Sequence, residues 1–487
     1  MDQSKPLSDN ATDNRPASSQ DRFIDMHCHP SIKPFGRSYP LNINSRFSWR
    51  RSSIWHQKLP TKIRQLLNRT LSITRFTQTD MTTLSEGNVS VIAASFAPLE
   101  KNFFISRVGE GPLVDMLTDW ITGIGRLKVN YIQRNKNYFR EFRKKYNFYL
   151  RLHGKKQKIH GGVSKYRLVS NYDEILTNMG KDIISVIPSL EGAHVFTEDN
   201  TRAPEREQIL GNIDKMLSWQ YPPFFVAPAH HFRNYIAGHA YSLPKVIRAL
   251  LNQKEGVNTG ITELGLEVIG KLLDHKILID IKHMSRQSRR DYYQLLKSPA
   301  YRNIPILASH TSVNGYPDVY SDADLEEDHG VFFGLDINIF DNEILLIARS
   351  GGIIGIQLDE RRIASRQELK KVKNDLPEED KLRLLSGFVW NQVAYIAILL
   401  DSADLSAWDC ETIGSDYDGM VDPLNGFWTA KEYKLLYDHL LIHARAYLAG
   451  PGQQFKLEEN NISAEEILDK LFSKNALHFL ENNFNHE

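Results

Sequence analysis

The stretch TELGLEVIGKLLDHKILIDIKH, residues Thr262 to His283, places a helix, a strand and a candidate ligand in immediate succession. Leu264, Val268, Ile269, Leu272 and Leu273 share one side of a 3.6-residue repeat, so 262–275 is predicted as a helix with one apolar face. The residues from Lys276 to Ile281 then form an apolar run of strand length, and His283 follows its end. A helix feeding a strand that is apolar almost throughout is the repeating half of a parallel sheet covered on both faces.

Working outward, the same kind of run recurs. Strands are predicted over Phe23 to Met26, Val89 to Phe96, Ile183 to Leu190, Phe224 to Ala227, Lys276 to Ile281, Pro305 to Ala308, Ile353 to Leu358 and Glu411 to Gly414. Eight such runs joined by helical crossovers predict an α/β fold, a (β/α)8 TIM-type barrel with helical insertions near its mouth. Phe340 to Gly351 reads as a crossover helix that begins with acids and ends with Arg349 and two glycines, and Ser463 with Glu466 forms a capping-box pattern ahead of a terminal helix. Two connections are too long for the alternation, at about 31–80 and 100–165, and are read as the insertions. Residues 1–20 are polar enough to be a disordered tail, which leaves 21–487 as a single barrel domain.

The 487 residues carry a formal net charge of +1 and 41% apolar side chains, so nothing in the overall balance favours nucleic acid, and no nucleic-acid partner is expected. Two cysteines, Cys28 and Cys410, argue against a disulfide framework. With no sustained apolar span of membrane length and no hydrophobic block near the start, the expected location is cytoplasmic. One local exception to the charge balance is the basic segment Arg126 to Lys158, in which aromatics from Tyr131 to Tyr149 interleave with lysines and arginines. It reads as a solvated helix whose aromatics pack on the barrel; the alternative is a peripheral contact with an anionic membrane or an acidic partner. A homodimer is left open.

Function is written at the strand ends. In Asp25-Met26-His27-Cys28-His29, His27 and His29 are two residues apart and share one side of an extended strand, where both imidazoles can reach one ion. Glu191 follows the run ending at Leu190, His283 follows Ile281, His310 follows Ala308 and Asp416 follows Gly414. The C-terminal strand ends of a barrel meet at one mouth, so these six residues are candidate ligands of one metal centre. Glu191 has two oxygens and can bridge two cations about 3.5–4 Å apart, with His283 and His310 completing the second. Asp416 can bind weakly while accepting a proton from a water that such cations acidify into a bridging hydroxide.

These residues resemble a family. Gly260 to Gly265 leading into Ile279-Asp280-Ile281-Lys282-His283-Met284-Ser285, with Glu191-Gly192-Ala193-His194, Ala308-Ser309-His310 and Gly414-Ser415-Asp416-Tyr417-Asp418-Gly419 in this order, is similar to the membrane dipeptidase (renal dipeptidase) family of zinc peptidases, within the amidohydrolase-like metal-dependent hydrolases. The resemblance runs from residue 23 to about 480 and leaves out the basic segment. It implies two Zn2+ ions in a binuclear centre, the first on His27 and His29, the second on His283 and His310, with Glu191 between them and Asp416 as acid and base. It also implies a histidine that contacts substrate and polarises the oxyanion, matched by His230, with His231 equally close by position.

Two departures stand out. The family's aspartate two residues after the first histidine is His29 here, which makes the centre more positive. The arginine that takes the substrate carboxylate should follow His310 closely, yet Thr311 to Ala348 contains no Arg or Lys; Arg233, Arg361 or Arg362 are the substitutes on offer. The expected activity is zinc-dependent hydrolysis of dipeptides or a related small amide. Its alternatives are an amidohydrolase acting on a lactone, cyclic amide or acyl-amino acid, and a non-catalytic binding protein on the same barrel.

Overall fold

The computed structural model describes residues 22–38, 53–55, 58–105, 111–135, 137–159, 162–198, 203–318, 325–372, 375–450 and 455–485. The expected tail at 1–20 lies outside the described residues, as does part of the first insertion. Each of the eight apolar runs forms a strand: Phe23–Cys28 (β1), Val89–Ser95 (β2), Ile183–Glu191 (β5), Phe225–Ala227 (β6), Leu278–Ile279 (β7), Leu307–Thr311 (β8), Ile353–Ile356 (β11) and Glu411–Ile413 (β12). Every residue of these strands is buried, as runs without polar alternation require when helices cover both faces.

Pairing is parallel throughout this set. β1, β2, β5, β6 and β7 follow one another in one sheet, and β8, β11 and β12 form a second. Two isolated parallel bridges join the sheets, Asp280 with Leu307 and Cys28 with Tyr417. The crossover helices stand where periodicity puts them. Glu263–Asp274 is capped by Thr262, whose side chain accepts from the Gly265 N–H; in Asp341–Arg349 the Glu343 carboxylate accepts from the Phe340 N–H at 3.0 Å; and Ser463 caps Ala464–Asp469.

The second insertion holds more than helix. Besides Pro112–Thr122, Arg126–Arg134 and Tyr138–Leu150, it contributes a hairpin of Gln157–Ile159 (β3) and Gly162–Leu168 (β4), and β4 lies parallel to the entry half of β5. Its exposed and buried residues alternate, and its weakly apolar composition hides it in a search for continuous apolar runs. The aromatics of the basic segment are core residues: Tyr138, Phe142 and Tyr149 are buried, and Tyr149 stacks on Phe96 with ring centroids 4.0 Å apart. Two of its lysines are internal too. Lys128 pairs with Glu141, and Lys145 donates to the Ala97 carbonyl at 2.8 Å. The 25-residue helix Glu378–Ser402 is long and apolar enough to cross a membrane, yet 67% of its most apolar window is buried against the rest of the fold, as in a core helix.

Candidate metal centre

His27 is the penultimate residue of β1 and His29 follows its last residue, Cys28, and both are fixed from the far end of the chain. The Asp416 N–H donates to the His27 carbonyl at 2.9 Å, and the His29 N–H donates to the Tyr417 carbonyl at 2.9 Å. Beneath them Asp25, buried within the strand, accepts from the Ser415 hydroxyl at 2.6 Å, the Ser415 N–H at 2.9 Å and the Tyr433 hydroxyl at 2.7 Å. This network sets β1 and the segment after β12 in register. His283 and Asp416 both have positive φ, 65° and 59°, which bends the chain sharply as it leaves β7 and β12. Such conformations cost a non-glycine residue about 1–3 kcal/mol and persist where the surroundings over-determine them.

The other five expected ligands gather around Glu191. His283 Nε2 lies 2.9 Å and His310 Nε2 3.3 Å from Glu191 Oε1, while His29 Nε2 lies 3.2 Å from Oε2. Asp416 Oδ1 is 3.1 Å from His29 Nε2 and 3.8 Å from His27 Nε2. The two imidazoles of the first strand bring their Nε2 atoms within 3.1 Å of each other. Two donors about 2.0–2.1 Å from one tetrahedral ion sit roughly 3.3 Å apart, so this spacing suits a shared cation. Two groups of ligand atoms, each within a 4.8 Å span, have the makings of cation sites: His27, His29, Glu191 and Asp416, and Glu191, His283 and His310.

Tautomers are set from behind. Ser309 Oγ donates to Asp280 Oδ2 at 2.5 Å and lies 3.1 Å from His27 Nδ1 and 2.9 Å from His310 Nδ1. A hydroxyl has one proton, already given to Asp280, so it accepts from both Nδ1–H groups. Both Nε2 lone pairs are thereby left facing Glu191, as a metal ligand requires. His310 Nε2 and Asp416 Oδ1 are buried without a hydrogen-bond partner among the described residues, an arrangement a cation would satisfy. The donor set and its burial therefore fit a divalent metal such as zinc.

Charge is finely divided inside this cluster. Burial opposes ionisation of Glu191, but His230, His27 and His29 outweigh it and hold its carboxyl well below the usual range. Burial, with Glu191 adding to it, raises Asp416. Burial works against a charged His29, yet Glu191 and Asp416 push it up to about 9. Burial drives His283 down to about 3 despite Glu191, and it takes His310 down as well, with His27 adding to the effect.

The remaining candidates separate. His230 Nδ1 is 2.6 Å from Glu100 Oε1 and its Nε2 is 3.4 Å from Glu191 Oε2, so it stands behind the cluster between two carboxylates, and despite burial they raise it to about 10. His231, with Nδ1 2.5 Å from Ser242 Oγ, lines the cavity of about 470 Å³ that opens from Glu191, His283 and Asp416. Arg233 does not reach that cavity: it is half exposed, stacks over Tyr235 and lies 4.0 Å from Glu255. Arg361 and Arg362 do line it. His194 and His239 hold backbone carbonyls, those of Pro98 and of Ala240 and Glu255. Sequence reading missed Ser309, Asp280 and Asp25. The signal was present, since an acid inside an apolar strand, as in Ile24-Asp25-Met26 and Ile279-Asp280-Ile281, has to be buried with partners.

Comparison with known proteins agrees. The family model for membrane dipeptidase (peptidase family M19) matches residues 245–448. The structure is similar to that of dipeptidase AC, a metallo peptidase, at 14% identity and a TM-score of 0.52, covering 95% of this chain and 98% of that one. It is also similar to a metallo peptidase from Rhodobacter sphaeroides liganded with a phosphinate mimic of the dipeptide L-Ala-D-Ala, at 14% identity and a TM-score of 0.51, covering 95% and 99%. No curated protein sequence matches. In its family match over residues 245–448, and in the order of its ligand motifs from residue 27 to residue 416, the chain is similar to the membrane dipeptidase family.

Proposed function

We propose that the protein is a metal-dependent hydrolase of dipeptides or a related small amide, built on a (β/α)8 barrel whose mouth holds two zinc ions. The observation that carries this reading is the gathering of five further nitrogen and oxygen ligands, from four other strand ends, around Glu191: four histidines approach its two oxygens and Asp416 stands against His29. Closure of the barrel is supported by the parallel bridges Asp280 with Leu307 and Cys28 with Tyr417, which link the two sheets at both open edges.

In this reading His27, His29 and Asp416 hold one ion, His283 and His310 hold the other, and Glu191 serves both. Bound there, the ions would polarise the scissile carbonyl and lower the pKa of water towards neutrality. Asp416 is suited to proton transfer: its side chain is 14% exposed and so open to the cavity, its surroundings raise its pKa, and Oδ1 has no hydrogen-bond partner among the described residues. It takes the proton from the attacking water and returns it to the leaving amine. His231 lines the cavity and His230, held by Glu100, brings Nε2 to 3.4 Å from Glu191 Oε2, so this pair supplies the candidates to steady the developing oxyanion. A reducing, cytoplasmic setting fits two buried, unpaired thiols, Cys28 and Cys410.

The test is metal content per chain by elemental analysis, before and after supplying zinc and removing the excess, run beside a dipeptide panel. About two tightly held ions with hydrolysis are expected. Absence of metal under both conditions overturns the reading.

A further inference from the structure

The cavity carries an unusual balance of charge. Apart from the cluster's own Glu191 and Asp416, its lining holds two carboxylates and four cations. Asp359 accepts both arms of Arg361, at 2.9 and 2.8 Å, and Asp418 accepts from Lys33 at 2.5 Å and from the Gln78 and Thr79 N–H groups at 2.9 and 3.2 Å. Both carboxylates are therefore fully engaged. Arg362 and Lys282 are left: Arg362 donates to the Ser242 carbonyl and Lys282 to the Ile337 carbonyl at 3.3 Å, and neither has a carboxylate within 4.0 Å among the described residues. Both line the same cavity as Glu191, His283 and Asp416, which puts these cations beside the candidate metal centre.

A free dipeptide brings one carboxylate and one ammonium. The cavity offers unspent positive charge for the first and, outside the Glu191 and Asp416 of the metal cluster, no unpaired carboxylate among its described lining for the second, so an ammonium there would be desolvated beside like charges. The rest of the wall is apolar. Leu99 and Phe103 line one part, Ile121 comes from helix 112–122, and Ile247 and Leu250 come from helix 245–251. Ile121, Ile247 and Leu250 are 48%, 38% and 38% exposed, apolar surface that an aliphatic group would cover.

We propose that the substrate is an N-acylated amino acid: an amide with a free α-carboxylate, no ammonium, and a medium-length or long aliphatic acyl chain. Arg362, with Lys282 beside it, takes the carboxylate in place of the arginine missing after His310, and the acyl chain lies along the wall of Ile121, Ile247 and Leu250. Water adds its oxygen to the acyl carbon, the C–N bond breaks, and the protons of water pass to the nitrogen and to solvent, so the products are a fatty acid anion and a free amino acid with no redox change. This assignment rests on the hydrolase reading and narrows its substrate.

The experiment measures kcat/KM of the zinc-loaded full chain on acetyl-, hexanoyl- and decanoyl-glycine, on Leu-Gly, and on decanoyl-glycinamide. The expected result is a rise of about fourfold per methylene until the chain fills the cavity, with decanoyl-glycine above both Leu-Gly and decanoyl-glycinamide. Arg362→Met should collapse the ratio of decanoyl-glycine to decanoyl-glycinamide, mainly through KM, and Leu250→Asp should collapse the ratio of decanoyl- to acetyl-glycine. Competition by decanoyl-glycinamide against decanoyl-glycine gives the chain's contribution to binding independently of turnover. A flat chain-length series, or Leu-Gly as the best substrate, overturns the assignment while leaving the hydrolase reading intact. Unchanged ratios in the two variants overturn it as well, and failure to cleave any of these amides with zinc bound overturns both.

Discussion

Replacing Ser309 with alanine tests how the histidine ligands are oriented. In the native protein this hydroxyl gives its proton to Asp280 and receives those of His27 Nδ1 and His310 Nδ1, in a pocket without exposed surface. Ser309→Ala removes a charge-assisted hydrogen bond worth about 1.5–3 kcal/mol and leaves two imidazole N–H groups buried without an acceptor. Each imidazole can escape that loss only by moving its proton to Nε2, the atom a cation needs. Either route weakens metal binding, by about 1.4–2.8 kcal/mol, which corresponds to about 10- to 100-fold in affinity. The assay is zinc titration against a competing chelator, with circular dichroism to verify that the variant is folded. A folded variant that binds zinc as tightly as the parent would show that the hydroxyl does not set the tautomers.

Glu191→Gln should lower metal occupancy below one ion per chain, whereas Asp416→Asn should keep the metal and lose turnover; elemental analysis paired with kcat separates them, and equal behaviour in both assays contradicts the assigned roles. Lys145 is buried, its pKa is lowered by that burial to about 7, and its ammonium donates to a neutral carbonyl. The unfolded chain therefore binds more protons between pH 7 and the ordinary lysine value, and stability rises with pH across that window, by about 1–3 kcal/mol between pH 7 and 9. Lys145→Met should flatten this rise, as read by denaturant unfolding at the two pH values; a persistent slope would assign it to other groups. Gly192 has φ +100°, and a Cβ there would lie 2.3 Å from His194 Nδ1 and 2.9 Å from His230 Cβ. Gly192→Ala should therefore displace Glu191 and abolish tight zinc binding, and a variant with normal metal content would show that the loop can yield.

The strands and crossover helices were legible because each is decided locally. A helix such as 263–274 has its own cap and apolar stripe, and a strand such as Ile183–Glu191 is apolar along its whole length. The candidate metal ligands were legible for a related reason: each lies at or just after the end of such a run, and parallel strands carry their ends to one side. What could not be read is what depends on distant partners. β4 is half polar and is a strand only because the edge of β5 receives it. His230 and His231 are adjacent and alike in sequence; Glu100, 130 residues from His230 along the chain, selects which one stands behind the cluster. Arg361 and Arg362 are likewise neighbours, and only the fork that Arg361 makes on Asp359 reveals that the other is unspent.

The bond from Ser415 to Asp25 spans 390 residues. During synthesis at about 5–20 residues per second, β1 leaves the ribosome roughly 20–80 s before the segment that holds it in place. Throughout that interval Asp25 lacks its partners and His27 and His29 lack Asp416, so the first histidine pair waits as an open chelate on an unpaired strand edge. Metal captured by the nascent chain would be held by part of the set alone, and loading of the complete centre belongs after release, once the last strand has closed against the first. A chain terminated before residue 411 would keep four of the five strands that carry the ligands, and five of the six ligands themselves, yet never acquire the residues that fix β1, which makes loss of the C-terminal segment equivalent to loss of the site.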